Sequence, residues 1–249
     1  MNLDIINSFL FHPRKSDQDL SKKDILIEVE YGVQIGIRFH LISKSAPTIL
    51  FFHGNGEIVT DYDEIANVFN IKKINFIIAD FRGYGFSNGI PNRDNTLLDS
   101  HLILDYVRGH LVEREYDGYL TLMGRSLGSV SVIELSKRYP DDFNGLIIES
   151  GFADEGPLYN LIGTTAEQAG LTKQDGFLNG EKIKQYVGPL LVIHAEKDHI
   201  IPYSQGELLY KSCPSIKKKL ILISNANHNN ILEVGYLKYF EAIERFINL

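Results

Sequence analysis

The chain has 249 residues, of which 44% are hydrophobic and 23% charged, a composition typical of a globular protein large enough for one α/β domain. Its formal net charge of −7 argues against binding to nucleic acid or to anionic membrane surfaces. The sequence contains no uninterrupted run of about eighteen apolar residues, which excludes a membrane-spanning helix.

Cysteine content and the N-terminal sequence indicate the compartment. The single cysteine, Cys213, cannot form an internal disulfide, and this is compatible with a reducing environment. Residues 1–11 lack a basic start and carry Asp4 within their apolar part, so they do not resemble a secretory signal. We therefore expect a soluble protein of the cytoplasm.

The first half of the chain alternates between strand-like and helix-like patterns. Residues 24–30 and 34–42 are alternating runs rich in β-branched residues, and the short turn between them predicts an antiparallel hairpin at a sheet edge. The elements predicted next are a strand at 47–52, a helix at 62–69, a strand at 75–79 and a helix at 95–111. The strand at 47–52 is apolar on both faces, as strands inside a parallel sheet are.

The second half continues the alternation. Its predicted elements are a strand at 119–124, a helix at 126–139, strands at 145–149 and 189–195, a helix at 204–212, a strand at 219–224 and a helix at 234–247. Strands that alternate with helices in this way are typical of a parallel sheet covered on both faces. We therefore predict the α/β class, with a three-layer sandwich.

Residues 152–188, which we call the cap segment, interrupt this alternation. They are more than one short crossover requires but too few for an independent domain. We expect them to hold one or two helices and to form one wall of a site. Residues 1–249 are accordingly predicted to be a single domain with a small cap-like insertion at about 152–188.

The most informative motif follows the strand predicted at 119–124. Gly124, Ser126 and Gly128 form the pattern G-x-S-x-G, in which a strand turns sharply into a helix and exposes the serine at the strand's C-terminal end. The glycines are needed because so tight a turn brings their α-carbons against neighbouring backbone. The motif predicts Ser126 as a nucleophile.

A serine hydroxyl is a weak nucleophile and needs a base, which a third group orients. His228 follows the last predicted strand, and Asp198 follows the strand before it. Because the carboxyl ends of parallel strands share one edge of a sheet, we expect both side chains to lie near Ser126. The order serine, acid and histidine along the chain is a known order for such a triad.

Other residues compete for the roles of base and acid. His199 is a neighbour of Asp198 in an extended loop, and the two could not easily form a linear hydrogen bond. His194 lies inside a predicted strand and is better interpreted as part of the core. Glu149 and Asp154 follow the preceding strand and could also reach the histidine, so both remain alternatives to Asp198, which is the preferred acid.

Attack on a carbonyl produces an oxyanion, which requires preset hydrogen-bond donors. Leu127 follows Ser126 at the start of the predicted helix and offers its backbone N–H, with the helix dipole behind it. The second donor should come from the His-Gly-Asn-Gly sequence at residues 53–56, which we call the oxyanion loop. We predict the N–H of Asn55 for this role.

These pieces together resemble the α/β-hydrolase superfamily, from about residue 24 to the C-terminus. The matching motifs lie at residues 53–56, 80–87, 124–128, 189–202 and 227–228. Within the superfamily, the chain is similar to small single-domain serine hydrolases of the palmitoyl-protein thioesterase-like and serine aminopeptidase-like group. The resemblance implies a mostly parallel eight-stranded sheet with an antiparallel N-terminal hairpin, and Ser126, Asp198 and His228 as catalytic residues.

The chain departs from parts of this group. Depalmitoylating relatives often carry a cysteine-rich N-terminal segment, whereas no cysteine precedes residue 24 here, and lipases often have a longer cap. The motif position holds Ser126, which excludes the nucleophilic aspartate of epoxide hydrolases. We expect hydrolysis of a carboxylic ester or thioester, in a small-molecule or acyl substrate, through an acyl-enzyme intermediate on Ser126 and without metal or cofactor. The alternatives are acyl transfer by the same triad and a non-catalytic binding module on a hydrolase fold.

Overall fold

The computed structural model describes residues 10–161 and 163–248, so most of the N-terminal stretch considered for a secretory signal lies outside the described residues. The strands are β1 (Asp24–Glu30), β2 (Val33–His40), β3 (Thr48–Phe52), β4 (Asn75–Ala79), β5 (Leu120–Arg125), β6 (Gly145–Glu149), β7 (Leu190–Ala195) and β8 (Lys218–Ile223). They form one eight-stranded sheet in the order β1-β2-β4-β3-β5-β6-β7-β8.

The sheet is antiparallel only at its N-terminal edge. β1 and β2 form a hairpin, and β2 also runs antiparallel to β4. All later pairs, from β4 with β3 to β7 with β8, are parallel. The predicted mostly parallel sheet with an antiparallel N-terminal hairpin is therefore confirmed.

Helices cover both faces of the sheet. In the described part of the chain they include α1 (Asp63–Ile71), α2 (Arg93–Glu113), α3 (Gly128–Arg138), α4 (Gly156–Leu161), α5 (Asn179–Lys182), α6 (Tyr203–Ser212) and α7 (Ile231–Ile247). Along β3, Leu50 and Phe52 pack into the core shared with α2, α3 and α6, whereas Ile49 and Phe51 pack into the core shared with α1 and α7. This alternation explains why the central strands are apolar on both faces.

Local capping shifts one predicted boundary. Helix α2 begins at Arg93, earlier than predicted, because the Asn92 side chain accepts the backbone N–H of Asn95 at 2.9 Å. The Asn95 side chain in turn accepts the backbone N–H of Asn92 at 2.8 Å. Such a reciprocal cap satisfies two backbone donors and fixes where the helix starts.

The cap segment contains α4, α5 and two short 3₁₀ turns at Lys173–Asp175 and Ile183–Gln185. It is joined to the body of the protein by Lys182, whose ammonium lies 2.6 Å from the Glu134 carboxylate of α3. The Phe152 and Phe177 rings pack edge to face at 6.1 Å. In the two described ranges, no helix has the length and apolar character needed to cross a bilayer.

Candidate active site

Ser126 lies at a sharp turn between β5 and α3. Its φ angle is +51°, in the left-handed region that residues with a β-carbon rarely adopt. Its backbone N–H donates to the Glu149 carbonyl at 2.8 Å. The helix predicted from residue 126 therefore begins only at Gly128, because left-handed Ser126 cannot belong to a right-handed helix. Leu127, which lies inside the predicted helix, is the N-cap, with helical backbone angles.

The two glycines of the motif are required by close backbone contacts. A β-carbon at Gly124 would collide with the carbonyl group of Gly128, and one at Gly128 would collide with the carbonyl group of Phe52. Phe52 is the last residue of β3, and it lies beside Gly124 in the sheet register. The small residues thus let α3 start directly above the ends of two neighbouring strands.

Ser126 forms part of a cavity of about 210 Å³, which we call the Ser126 cavity. The residues that line it are Leu10, His12, Asn55, Ser126, Leu127, Phe152, Leu158, Leu161, Ile200 and His228. The sequence predicted an exposed serine, but only 6% of Ser126 is accessible. Leu10 and the α4 residues Leu158 and Leu161 line this mostly apolar cavity together with Ser126.

His228 and Asp198 meet at the edge of this cavity. Nδ1 of His228 lies 2.8 Å from Oδ2 of Asp198, and both side chains are buried. The backbone N–H groups of Ile200 and Ile201 donate to Oδ1 of Asp198 at 3.0 and 2.8 Å, which holds the carboxylate in place. An ionised carboxylate can only accept, so the proton of the neutral imidazole lies on Nδ1 and Nε2 keeps its lone pair.

The surroundings of Asp198 favour its ionised form. Burial by itself would raise the pKa of this carboxyl group, but the hydrogen bond and charge of His228 and the N–H of Ile201 outweigh it and lower the pKa below the ordinary value. Asp198 is therefore a carboxylate at neutral pH. Such a group orients an imidazole and stabilises the imidazolium that forms when it takes a proton.

Within the described ranges, no hydrogen bond joins the Ser126 hydroxyl to His228. Both side chains nevertheless line the same cavity. Catalytic hydrogen bonds are often loose without substrate and tighten in the Michaelis complex.

The competing acids and bases have other partners. Glu149 accepts the Tyr239 hydroxyl at 2.6 Å and pairs with Arg125. Asp154 caps the start of α4 through the N–H of Gly156 at 2.9 Å. Of the rival histidines, His194 is fully buried, with Nε2 at 2.9 Å from the Ile201 carbonyl oxygen and at 3.6 Å from Oδ2 of Asp198, farther than the 2.8 Å contact of His228. His199 is exposed on the loop, so none of the four replaces a member of the Asp198–His228 pair.

The predicted oxyanion donors lie beside Ser126. Asn55 and Leu127 both line the Ser126 cavity, and neither backbone N–H donates to another described residue. The Asn55 side chain is anchored, because Oδ1 accepts the Tyr84 hydroxyl at 2.6 Å and the backbone N–H of His12 at 2.9 Å. These contacts fix the oxyanion loop against the N-terminal segment.

Comparison with known proteins identifies the family. A family model described as Serine aminopeptidase, S33 matches residues 43–174. Protein bem46 of Schizosaccharomyces pombe is 31% identical over 216 residues, which cover 82% of this chain and 68% of that protein. Human alpha/beta hydrolase domain-containing protein 17C is 29% identical over 210 residues, covering 82% of this chain and 59% of its own length. The chain belongs to the α/β-hydrolase superfamily.

Solved structures with this α/β-hydrolase fold cover nearly the whole chain. An esterase from Pyrococcus furiosus superposes with a TM-score of 0.75 at 16% identity, over 95% of this chain and 98% of the esterase. A monoglyceride lipase from Saccharomyces cerevisiae gives a TM-score of 0.72 at 16% identity, over 94% and 96% of the two chains. At these identities, the likeness shows a shared fold.

The candidate site also contains residues that no sequence motif predicts. Arg125, the variable residue before Ser126, is 7% exposed and lies between two carboxylates, Glu57 and Glu149. Leu10 and His12 line the Ser126 cavity from a segment before the first strand, where no motif indicates a role. A charged residue between a buried strand and the predicted nucleophile is a usable signal for Arg125, because a buried charge requires partners.

Proposed function

We propose that this protein is a serine hydrolase that cleaves a carboxylic ester or thioester through an acyl-enzyme intermediate on Ser126. The observation that supports it best is the 2.8 Å contact between Asp198 and His228 at the edge of the cavity that contains Ser126. An oriented imidazole with a free Nε2, next to a serine at a strained turn, is the arrangement that makes a serine hydroxyl nucleophilic.

In the first stage, Ser126 Oγ attacks the substrate carbonyl carbon while Nε2 of His228 takes the hydroxyl proton. The N–H groups of Leu127 and Asn55 donate to the resulting oxyanion, and Asp198 stabilises the imidazolium. The tetrahedral intermediate then breaks its bond to the leaving alcohol or thiol, which receives the proton from His228. Ser126 is left as an acyl ester.

In the second stage, water takes the place of the leaving group. His228 removes a proton from the water as its oxygen attacks the acyl carbon, and the same two N–H groups hold the second oxyanion. The bond to Ser126 Oγ breaks, the serine recovers its proton from His228, and the carboxylic acid leaves. The cycle consumes one water and uses only side chains and backbone N–H groups of this chain.

The walls of the Ser126 cavity indicate the kind of acyl group. Leu158, Leu161, Phe152 and Ile200 supply apolar surface, and the volume of about 210 Å³ lies below the usual range for drug-sized ligand pockets. A short or medium apolar acyl group fits such a cavity. The names of the two structural relatives, an esterase and a monoglyceride lipase, support ester hydrolysis.

Hydrolysis of a panel of p-nitrophenyl esters and acyl-CoA thioesters of graded acyl length tests the proposal. We expect turnover to be highest for short or medium chains and to vanish in the Ser126→Ala variant. Ser131→Ala is the matched control, because Ser131 lies in α3 with its hydroxyl buried and without a hydrogen-bond partner in the described chain. Turnover that survives Ser126→Ala would contradict the proposal.

A further inference from the structure

Arg125 contacts the segments that position the predicted base and the predicted oxyanion donors next to Ser126. It is the last residue of β5, immediately before Ser126, and its guanidinium group is buried beneath the turn. Its three nitrogens each have a different partner. Nε lies 2.8 Å from Glu57, Nη1 pairs with Glu149, and Nη2 donates to the backbone carbonyl of His228 at 2.8 Å.

The contact with His228 holds the main chain of the predicted base. The imidazole of His228 is fixed on one side by Asp198, whereas its carbonyl group is fixed by Arg125. These two contacts act on the same residue from different strands, since Asp198 follows β7 and Arg125 ends β5. Residues 224–230 form the loop that carries His228, which we call the His228 loop. The guanidinium group therefore connects this loop to β5, next to Ser126.

The contact with Glu57 reaches the oxyanion loop. Glu57 Oε2 accepts the backbone N–H of Gly54 at 2.6 Å, and its other oxygen accepts Nε of Arg125. Glu57 also accepts the Tyr62 hydroxyl. Burial would raise the pKa of Glu57, but the charge and hydrogen bond of Arg125 lower it, so that the carboxylate persists beneath the site.

Burying the Arg125 guanidinium group and the Glu149 carboxylate, with Glu57 partly buried beside them, costs desolvation energy that their mutual attraction often only offsets. A network of this kind is therefore better explained by the geometry that it imposes than by net stability. Arginine is suited to the task, because its planar fork offers donors in fixed directions, whereas lysine presents a single point of charge. Three separate nitrogens of Arg125 meet acceptors on Glu57, Glu149 and His228, and the single nitrogen of a lysine cannot replace all three.

We propose that Arg125 is a positioning residue that holds the His228 loop and the oxyanion loop at fixed positions relative to Ser126. The inference rests on the proposed function, since it assigns to Arg125 the alignment of that same triad. Arg125 does not line the Ser126 cavity, so it acts through His228 and Gly54 rather than on the substrate.

The test compares Arg125→Lys with Arg38→Lys. Arg38 is a matched control because it is also buried and paired with two carboxylates, Asp24 and Asp63, but its hydrogen bonds reach neither His228 nor Glu57. Both variants keep the positive charge and lose the planar guanidinium group. Denaturant unfolding, kcat, KM and the pH profile of kcat/KM are measured for each with the p-nitrophenyl ester that the wild type turns over fastest.

For Arg125→Lys, we expect kcat to fall about 10- to 100-fold with KM within about 3-fold, since misplacement of a reacting group by about 1 Å costs on that order. The low-pH limb of kcat/KM should move to lower pH, because a His228 that is less well held against Asp198 loses part of the stabilisation of its imidazolium form. Arg38→Lys should lose stability but keep its kcat and its pH profile.

Two outcomes would overturn the positioning role. One is a kcat and pH profile of Arg125→Lys equal to those of Arg38→Lys, and the other is a loss of activity only in proportion to the unfolded fraction. Turnover by the wild type distinguishes failure of the positioning role from failure of the proposed function. If the wild type shows no turnover that depends on Ser126, the proposed function itself is overturned.

If Arg125→Lys does not fold, Glu57→Gln tests the same linkage from the other end. The amide oxygen can still accept the N–H of Gly54, but the ion pair with Arg125 is lost. We expect kcat to fall about 10-fold at unchanged KM. An unchanged kcat and pH profile would overturn the proposal.

Discussion

Asp198 accepts the Nδ1–H of His228 at 2.8 Å, although the two residues are 30 positions apart in the chain and follow different strands. Parallel pairing of β7 with β8, from Leu190 opposite Lys218 to Ala195 opposite Ile223, brings the two loops to the same edge of the sheet. The contact is thus a consequence of strand register, and it fixes both the tautomer and the orientation of the imidazole.

The first prediction concerns this pair. Replacing Asp198 with Asn should lower kcat for p-nitrophenyl acetate on the order of 10⁴-fold, because an amide can donate to Nδ1 and thereby leave the proton on Nε2. The matched control is Asp154→Asn, which changes a helix-capping carboxylate and should keep kcat within about 2-fold. A normal rate in Asp198→Asn, with a loss in Asp154→Asn, would transfer the acid role to Asp154.

Much of the fold follows from local patterns. The apolar run of β3 predicts a buried parallel strand, and the bounds of β1, β4 and β6 are predicted to the residue. These strands end at strong turn signals, which is why their bounds are predictable. The order of strands in the sheet is not written in any one segment, because it depends on which crossover packs on which face.

The site is predictable where a motif constrains the backbone. Ser126 lies between two glycines that the turn requires, and His228 and Asp198 follow apolar strands. The apolar walls of the Ser126 cavity are not predictable in the same way, since Leu10 belongs to a segment without a motif. The partners of Arg125 are likewise non-local, because Glu57 and His228 lie 68 and 103 positions away in the chain.

The second prediction concerns backbone strain at Ser126. Its φ of +51° costs a residue with a side chain about 1 to 2 kcal/mol relative to glycine. Ser126→Gly should therefore be more stable than Ser126→Ala by about 1 kcal/mol, although neither variant turns over ester. Urea unfolding of both variants measures the difference. Equal stability, or a less stable glycine variant, would show that the turn carries no such strain.

The third prediction concerns acyl length. Leu158→Trp adds volume to a wall of the Ser126 cavity and should lower kcat/KM for p-nitrophenyl octanoate about 10-fold or more, with little change for the acetate. Leu208→Trp is the control, because Leu208 is 45% exposed on α6 and does not line this cavity. Equal losses for both esters would mean that the acyl chain does not reach Leu158.

The fourth prediction concerns pH and the attachment of the cap segment. His101 is the main cause, together with Lys182, that lowers the pKa of Glu134 to about 2, even though partial burial acts in the opposite direction. Because the folded pKa is below the ordinary value of 4.5, the stabilisation is complete above about pH 4.5 and disappears as the pH falls towards 2.

Glu134→Gln should therefore lower the free energy of unfolding by about 1 to 2 kcal/mol at pH 7, after allowance for solvent screening, and by less at pH 3. Urea unfolding at the two pH values measures it. The control, Glu241→Gln, removes an exposed pair with Arg245 and should change stability by about 0.5 kcal/mol or less. A pH-independent loss in Glu134→Gln would contradict the linkage.

The most direct test of the central claim is covalent labelling of the folded protein with a fluorophosphonate, followed by mass spectrometry of the peptides. A serine activated by His228 attacks phosphorus and displaces fluoride, so one adduct is expected, on Ser126. Labelling should be lost in Ser126→Ala and retained in Ser131→Ala. Folded wild-type protein that acquires no adduct on Ser126, or acquires it on another serine, would contradict the proposed function.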